Sequence, residues 1–374
     1  MKRKKVLLLA DNLNNGGAER QMLLLAKNIP ETWDVFLWSI EDGIFSGNLQ
    51  QAKIKYKTSP RKFQFDISPI FDLARTVKEY QPDLLHSWGW MSTLSGILVS
   101  KIFNIPLVNG IIRTAKPYYY RGSISKILSR YGDYITANAQ VSLINWEISP
   151  GRSAVIYNGF EWQRLENVLP KNSRDGIFRV VMTARMVKAK DFQLFTEAAR
   201  HFHKQGRKNW KFLAIGHGDQ KVHLMQDNAD LIAAGMLEFP EAGTEVIPFL
   251  VNSDVGVLLT KKRLAEEGLS NTIMEYMACG LPVIATSSGG NKELIDEQTG
   301  FLISDGSLAE LIENLTWLYN HRQEAANMGN NGKTKLIDKF SVEQLVQNTL
   351  NVYQHVIEQK NNEKTRIDDW HRPK

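Results

Sequence analysis

Residues 266–286 read Glu266-Glu267-Gly268-Leu269-Ser270-Asn271-Thr272-Ile273-Met274-Glu275-Tyr276-Met277-Ala278-Cys279-Gly280-Leu281-Pro282-Val283-Ile284-Ala285-Thr286. A glycine-bearing loop leads to Ser270, whose hydroxyl suits a helix N-cap because it accepts from a backbone N–H left unpaired in the first turn. The spacing predicts a helix over Thr272–Cys279. Gly280 stands where a left-handed residue ends helices, with Pro282 just beyond. Val283–Thr286 is an apolar strand. Glu267 and Glu275 are eight residues apart, about two helical turns plus a small rotation. Both therefore face a ligand lying along the helix's first turns. Carboxylates accept from paired sugar hydroxyls, and a helix N-terminus favours a diphosphate.

Outward from this segment, short apolar runs alternate with helical patterns over the whole chain. Strands are predicted at Lys5–Ala10, Asp34–Ile40, Leu84–Trp88, Leu107–Ile112, Tyr134–Asn138 and Ala154–Tyr157, then at Arg179–Thr183, Lys211–Ile215, Val255–Thr260, Val283–Thr286 and Phe301–Ile303. Intervening helices include Ala18–Ile29, Pro69–Tyr80, Met91–Phe103, Ser123–Tyr131, Phe192–Gln205, Leu308–Tyr319 and Val342–Gln359. This alternation indicates βαβ units and parallel sheets. Residues 161–176 are polar and contain Pro170, so they read as a linker. The expected organisation is an α/β chain of two Rossmann-like domains facing across a cleft. They cover residues 1–165 (joined by a C-terminal helix, 341–360) and 166–340, with a polar tail over 362–374.

The chain has 374 residues, a size that suits two domains. Its single cysteine, Cys279, excludes a disulfide framework and a multi-thiolate zinc site and reads as a small packing residue. The basic start of the chain resembles a signal peptide, but the apolar run spans only Val6 to Ala10, too short for a secretory core. No run of about 18 apolar residues is present. The expectation is a cytoplasmic protein. Net charge is +6, and residues 1–160 hold 20 Lys+Arg against 12 Asp+Glu, a local excess of +8. That excess suits phosphorylated ligands or an anionic membrane surface at the inner face of the cell membrane; no nucleic-acid partner is expected.

Two other segments carry chemistry. Asn14-Asn15-Gly16-Gly17-Ala18-Glu19-Arg20 follows the first strand and opens a helix, where paired glycines allow close backbone approach to an anion. It lacks the G-x-G-x-x-G spacing of dinucleotide sites. Thr183-Ala184-Arg185-Met186-Val187-Lys188-Ala189-Lys190-Asp191 sends cations out from a strand end, Arg as a fork for phosphate and Lys as a point charge.

Together these segments resemble the retaining glycosyltransferases of family 4, of GT-B fold. The family's Glu-x-seven-Glu pattern reads Glu267…Glu275, followed by Met277-Ala278-Cys279-Gly280-Leu281-Pro282-Val283-Ile284-Ala285-Thr286. Its arginine–lysine loop reads Ala184-Arg185-Met186-Val187-Lys188-Ala189-Lys190-Asp191, and its glycine turn Gly216-His217-Gly218. Glu293-Leu294-Ile295, Gly300-Phe301-Leu302-Ile303, Pro82-Asp83-Leu84-Leu85-His86 and Ile156-Tyr157-Asn158-Gly159-Phe160 extend the likeness, which belongs to the branch opening with Gly16-Gly17-Ala18-Glu19. It implies that Arg185 and Lys190 hold a donor diphosphate, Glu275 the ribose, and Glu267 the transferred sugar, with Gly216 lining the donor site. Gly268 and the amides of Leu269, Ser270 and Asn271 meet phosphates or sugar. Gly16 and Gly17 approach the donor, and His86 lies near sugar and acceptor as a catalytic group. The implied reaction moves a sugar from a nucleotide-diphosphate donor, by default UDP-linked, to a glycan or lipid-linked saccharide in cell-surface polysaccharide synthesis. No cofactor or metal is required on this reading, since the sequence has no Asp-x-Asp ligand pair.

Ala184 and Asp191 replace family glycines, the latter placed to cap the following helix. Arg113 stands where many members carry His; being permanently charged, it is no general base at neutral pH but suits a phosphate. Trp88 and Trp90 suit an acceptor pocket or strand-end packing. Tyr118, Tyr119, Tyr120 and Arg121, with Lys116, suit a membrane interface or an anionic acceptor. The rival classes are a nicotinamide oxidoreductase, a nucleotide-sugar-binding scaffold without turnover, and a nucleotide-sugar epimerase.

Overall fold

The computed structural model describes all residues except 1, 2, 15, 117–121, 167, 169–174, 242, 244 and 371–374, and the side chains of 122, 123 and 364–370. Tyr118, Tyr119, Tyr120 and Arg121 thus lie outside the described residues. The chain divides into two compact units, residues 1–159 with 342–374 and residues 160–341.

The first unit holds strands β1 (Lys4–Ala10), β2 (Trp33–Ser39), β3 (Lys55–Thr58), β4 (Leu84–Ser87), β5 (Leu107–Ile112), β6 (Tyr134–Ala137) and β7 (Ser153–Val155). They form one parallel sheet in the order β3-β2-β1-β4-β5-β6-β7. Val6, Leu7, Leu8 and Leu9 of β1 are all buried, because helices cover both faces. Leu8 and Val6 meet the last helix, Val342–Trp370, through Leu350, Tyr353 and Val356. Leu7 and Leu9 meet Leu73, Val77 and Val99 on the opposite face. The last helix runs past Asn362, through part of the segment read from sequence as a polar tail.

The second unit holds β8 (Phe178–Thr183), β9 (Trp210–Ile215), β10 (Leu237–Glu238), β11 (Val255–Leu258), β12 (Val283–Thr286) and β13 (Gly300–Ile303). Their order is β10-β9-β8-β11-β12-β13, again all parallel. An aromatic core of Phe178, Phe195, Phe202, Trp210 and Phe212 packs one face, with Phe202 and Trp210 stacked at 3.9 Å.

Each sheet reverses its winding once, between β1 and β4 in the first and between β8 and β11 in the second. At such a reversal the connecting helices leave to opposite faces, and a crevice opens at the carboxyl ends of the two strands. The segments Asn14–Arg20 and Trp88–Trp90 follow β1 and β4. The segments Ala184–Asp191 and Leu259–Ser270 follow β8 and β11.

Candidate active site

The second unit gathers most of the residues singled out in the sequence. Tyr276 fixes their frame. Its hydroxyl accepts from the Thr183 N–H at 2.7 Å and donates to the Val257 carbonyl at 3.0 Å. Helix Asn271–Ala278 is thereby tied to the ends of both switch-point strands. Gly256 admits the ring, since a Cβ there would lie 2.3 Å from it. Ser270 caps this helix as its sequence predicts, accepting from the Ile273 N–H, and Gly280 follows it at φ +71°.

The loop after β8 is pinned on two sides. Lys190 bridges Thr260 in antiparallel fashion, with Asp191 N–H donating to the Leu259 carbonyl at 3.0 Å and Lys261 N–H to the Ala189 carbonyl at 2.9 Å. On the other side the Met186 N–H donates to the His217 carbonyl. Gly216 and Gly218 hold φ +152° and +151°, and a Cβ on either would strike the carbonyls of Ala184 or Met186 at 1.9 or 2.3 Å. The turn accordingly needs glycine. Asp191 caps helix Phe192–Lys204, accepting from the Leu194 N–H, and pairs with Lys261 at 3.2 Å. Its charge is spent on these partners, so the departure from the family glycine is structurally absorbed.

Lys190 ion-pairs directly with Glu267, and its Nζ also lies 3.4 Å from Thr260 Oγ1. Arg185 is exposed, while Gly268, Leu269 and Ser270 are buried beneath the helix start. Glu275, on the second turn, is bound by Arg164 at 2.8 Å. Arg164 gives its other two nitrogens to Glu245 at 3.0 and 2.8 Å. Burial opposes the charge of Arg164, but the hydrogen bonds and charges of Glu245 and Glu275 outweigh it and hold its pKa above the ordinary value. Sequence reasoning missed Arg164 and Glu245. A lone Arg in a linker and a lone Glu in a loop have no spacing to mark them, and only the fold brings them to the Glu275 helix. Cys279 has its thiol pushed up to about 12 by burial, so it stays a thiol and not a nucleophile. A cavity of about 670 Å³ opens at the amino ends of β8, β11 and β12, among Phe178, Asp254, Cys279, Pro282 and Arg322, at the opposite end of these strands from the Ala184–Asp191 loop.

In the first unit, Gly16 caps helix Gly17–Asn28 with the Glu19 carboxylate folded over it; a Cβ at Gly16 would lie 2.0 Å from Glu19 Oε2. Asp11, just past β1, accepts from the Ser92 N–H at 2.8 Å and the Met91 N–H at 3.3 Å, so a carboxylate caps helix Trp90–Phe103. Trp90 opens that helix, half-buried. His86 is 1% exposed on β4, its Nδ1 2.6 Å from Tyr353 Oη. Burial, then the charge of Arg113, lowers its pKa well below the usual histidine value. Its Nε2 has no hydrogen-bond partner among the described residues. The imidazole is therefore held neutral, and a role as a protonated acid is disfavoured. Arg113 donates to the Gly110 carbonyl at 3.0 Å and lies 3.9 Å above the Trp88 ring. Burial pushes its pKa down to about 10, which leaves it charged at neutral pH. Trp88, 7% exposed between Arg113 and His86, packs the strand end. Tyr353 was not visible as a site residue, since it lies 267 positions from His86.

Two Rossmann-like sheets in one chain, the second with a cationic loop and a capped helix at its switch point, define the GT-B class of folds. Residues 177–321 match the family model described as "Glycosyl transferases group 1", and residues 15–164 match "Glycosyltransferase Family 4". The chain belongs to these families and is a glycosyltransferase. Among similar proteins is the amylovoran biosynthesis glycosyltransferase AmsD of Erwinia amylovora, 23% identical, with 80% of this chain and 85% of that protein aligned. N-acetyl-alpha-D-glucosaminyl L-malate synthase of Bacillus anthracis is 27% identical over 41% of this chain and 40% of its own. The crystal structure of Anabaena HepE in complex with UDP and glucose has the same fold, at TM-score 0.81 and 22% identity, covering 94% of this chain and 100% of that one.

Proposed function

We propose that the protein is a retaining, metal-independent glycosyltransferase. It moves a sugar from a UDP-linked donor to a glycan or lipid-linked saccharide in cell-surface polysaccharide synthesis. The observation that carries this reading is the constellation at the β8/β11 switch point: exposed Arg185, the Lys190–Glu267 pair, the Ser270-capped helix and Glu275. The likeness to AmsD and to UDP-bound HepE supports the acceptor class and the uridine.

Cleaving a sugar–diphosphate bond builds positive charge on the anomeric carbon and negative charge on the leaving group. Fixed cations and a helix N-terminus stabilise that negative charge without reorganising. Arg185, Lys190 and the amides of Leu269, Ser270 and Asn271 take this part. Glu267 receives the sugar's hydroxyls, and the donor phosphate displaces it from Lys190. Glu275 receives the ribose hydroxyls. Gly16, Gly17 and Gly216 permit close backbone approach, neutral His86 offers hydrogen bonding, and Arg113 neutralises an anionic acceptor. For retention, the acceptor oxygen bonds to the anomeric carbon on the face the diphosphate leaves, and the departing phosphate oxygen takes the acceptor's proton. Among the described residues no helix is long and apolar enough to cross a membrane. The basic first half, with Phe63, Phe65 and Phe71 of that unit exposed, supports peripheral contact with an anionic membrane face. Incubation with UDP-glucose and a saccharide acceptor, with product anomers read by NMR, tests the reaction. Product of the donor's own anomeric configuration is expected; the opposite anomer contradicts it.

A further inference from the structure

We propose that Arg164 is a positioning residue for nucleotide recognition: clamped by Glu245, it holds the Glu275 carboxylate aimed, so that discrimination for ribose depends on it. This rests on the reading of Glu275 as the ribose contact.

The geometry forms a chain. Glu245 Oε1 accepts from the backbone N–H groups of Val246 at 2.9 Å and Ile247 at 3.1 Å, which fixes that carboxylate to the backbone. Glu245 then takes Arg164 through both oxygens, the two-point grip that orients a planar guanidinium. The remaining nitrogen, Nη1, reaches Glu275 Oε1 at 2.8 Å. The short helix Trp162–Leu165 carrying Arg164 is itself tied down, with Phe160 N–H donating to the Phe340 carbonyl at 3.0 Å. The side chains of Arg164 and Glu275 are only 11% and 12% exposed. The guanidinium, itself fixed at two points by Glu245, sets the direction in which this enclosed carboxylate faces.

The test measures, by calorimetry on the full chain, the affinity of the tightest of UDP, GDP and ADP against its 2′-deoxy analogue. The wild type is expected to prefer the ribonucleotide by about tenfold or more, the value of a hydrogen bond to a charged group. Arg164→Met and Glu275→Gln should each bring the two within about threefold, and the double variant should lose no more, because both act through one contact. Glu245→Gln and Arg164→Lys should fall between, and they decide the matter if Arg164→Met does not fold. Full ribose preference in the folded Arg164 and Glu245 variants, with loss in Glu275→Gln, overturns the proposal and leaves the Glu275 reading intact. Preference retained in Glu275→Gln, or absent from the wild type, refutes the Glu275 reading and the proposal with it.

Discussion

Lys190 and Glu267 form an ion pair, yet each is assigned a different part of the donor. Substitution should therefore separate their roles. Glu267→Gln is expected to leave nucleoside diphosphate affinity within about threefold while cutting transfer on the order of 100-fold, because it loses a contact to the sugar and not to the diphosphate. Binding titrations beside initial rates would check this, and undiminished transfer would remove Glu267 from the site. His86 permits a prediction with a sign. Its folded pKa is depressed, so the unfolded chain takes up a proton first as pH falls. The stability it confers is present above the unfolded value near 6.5 and is lost as pH drops from there towards the folded pKa. Relative to a His86→Gln variant, the wild type should lose up to about 1.4 kcal/mol per pH unit below 6.5. Urea unfolding at pH 7 and pH 5 measures it, and parallel losses in the two proteins would contradict it. Tyr353, Arg113 and Trp88 face the imidazole, and none supplies an anion at these pH values.

Among the elements, the glycines of two helices make opposite predictions. Helix Arg322–Lys339 carries Gly329 against the Gly280 carbonyl, where a Cβ would lie 1.9 Å away. Gly329→Ala should cost about 1–3 kcal/mol by overpacking. Gly47, within helix Phe45–Gln51, has nothing within 4 Å of a Cβ, and Gly47→Ala should stabilise by about 0.5–1 kcal/mol. Shifts in denaturation midpoint of these signs check both. These elements also show what the sequence discloses. A fully buried strand such as β12 falls where the apolar run places it, because a strand covered on both faces is a continuous hydrophobic word. Ser270, Gly280 and Asp191 are legible for the same local reason, since caps are set by one or two residues. Helix Arg322–Lys339 is not legible, for its Asn and Gly residues argue against helix and its formation depends on packing with helix Asn271–Ala278. β3 and β10 are short edge strands whose pattern is too brief to register. The Ala184–Asp191 loop and the glutamates Glu267 and Glu275 could be singled out from motifs, whereas Arg164, Glu245 and Tyr353 are brought to their neighbours by folding alone.

For the whole molecule, the charges divide by task. On the proposed reading, cations of Ala184–Asp191 and the helix start of Asn271–Ala278 take the part that a divalent ion plays elsewhere, so donor binding should persist in EDTA. The excess of +8 in residues 1–160 predicts binding to vesicles of anionic phospholipid that weakens as salt rises and is absent with neutral lipid; equal sedimentation with both vesicle types would contradict it. The central claim is that the β8/β11 switch point binds a nucleoside diphosphate through Arg185 and Lys190. The most direct measurement is a calorimetric titration of wild type, Arg185→Ala and Lys190→Ala with UDP, GDP and ADP in EDTA. The account predicts that the wild type binds one of them, UDP first, and that each substitution weakens it by about tenfold or more. Binding that neither substitution alters, or that requires a metal ion, would contradict it.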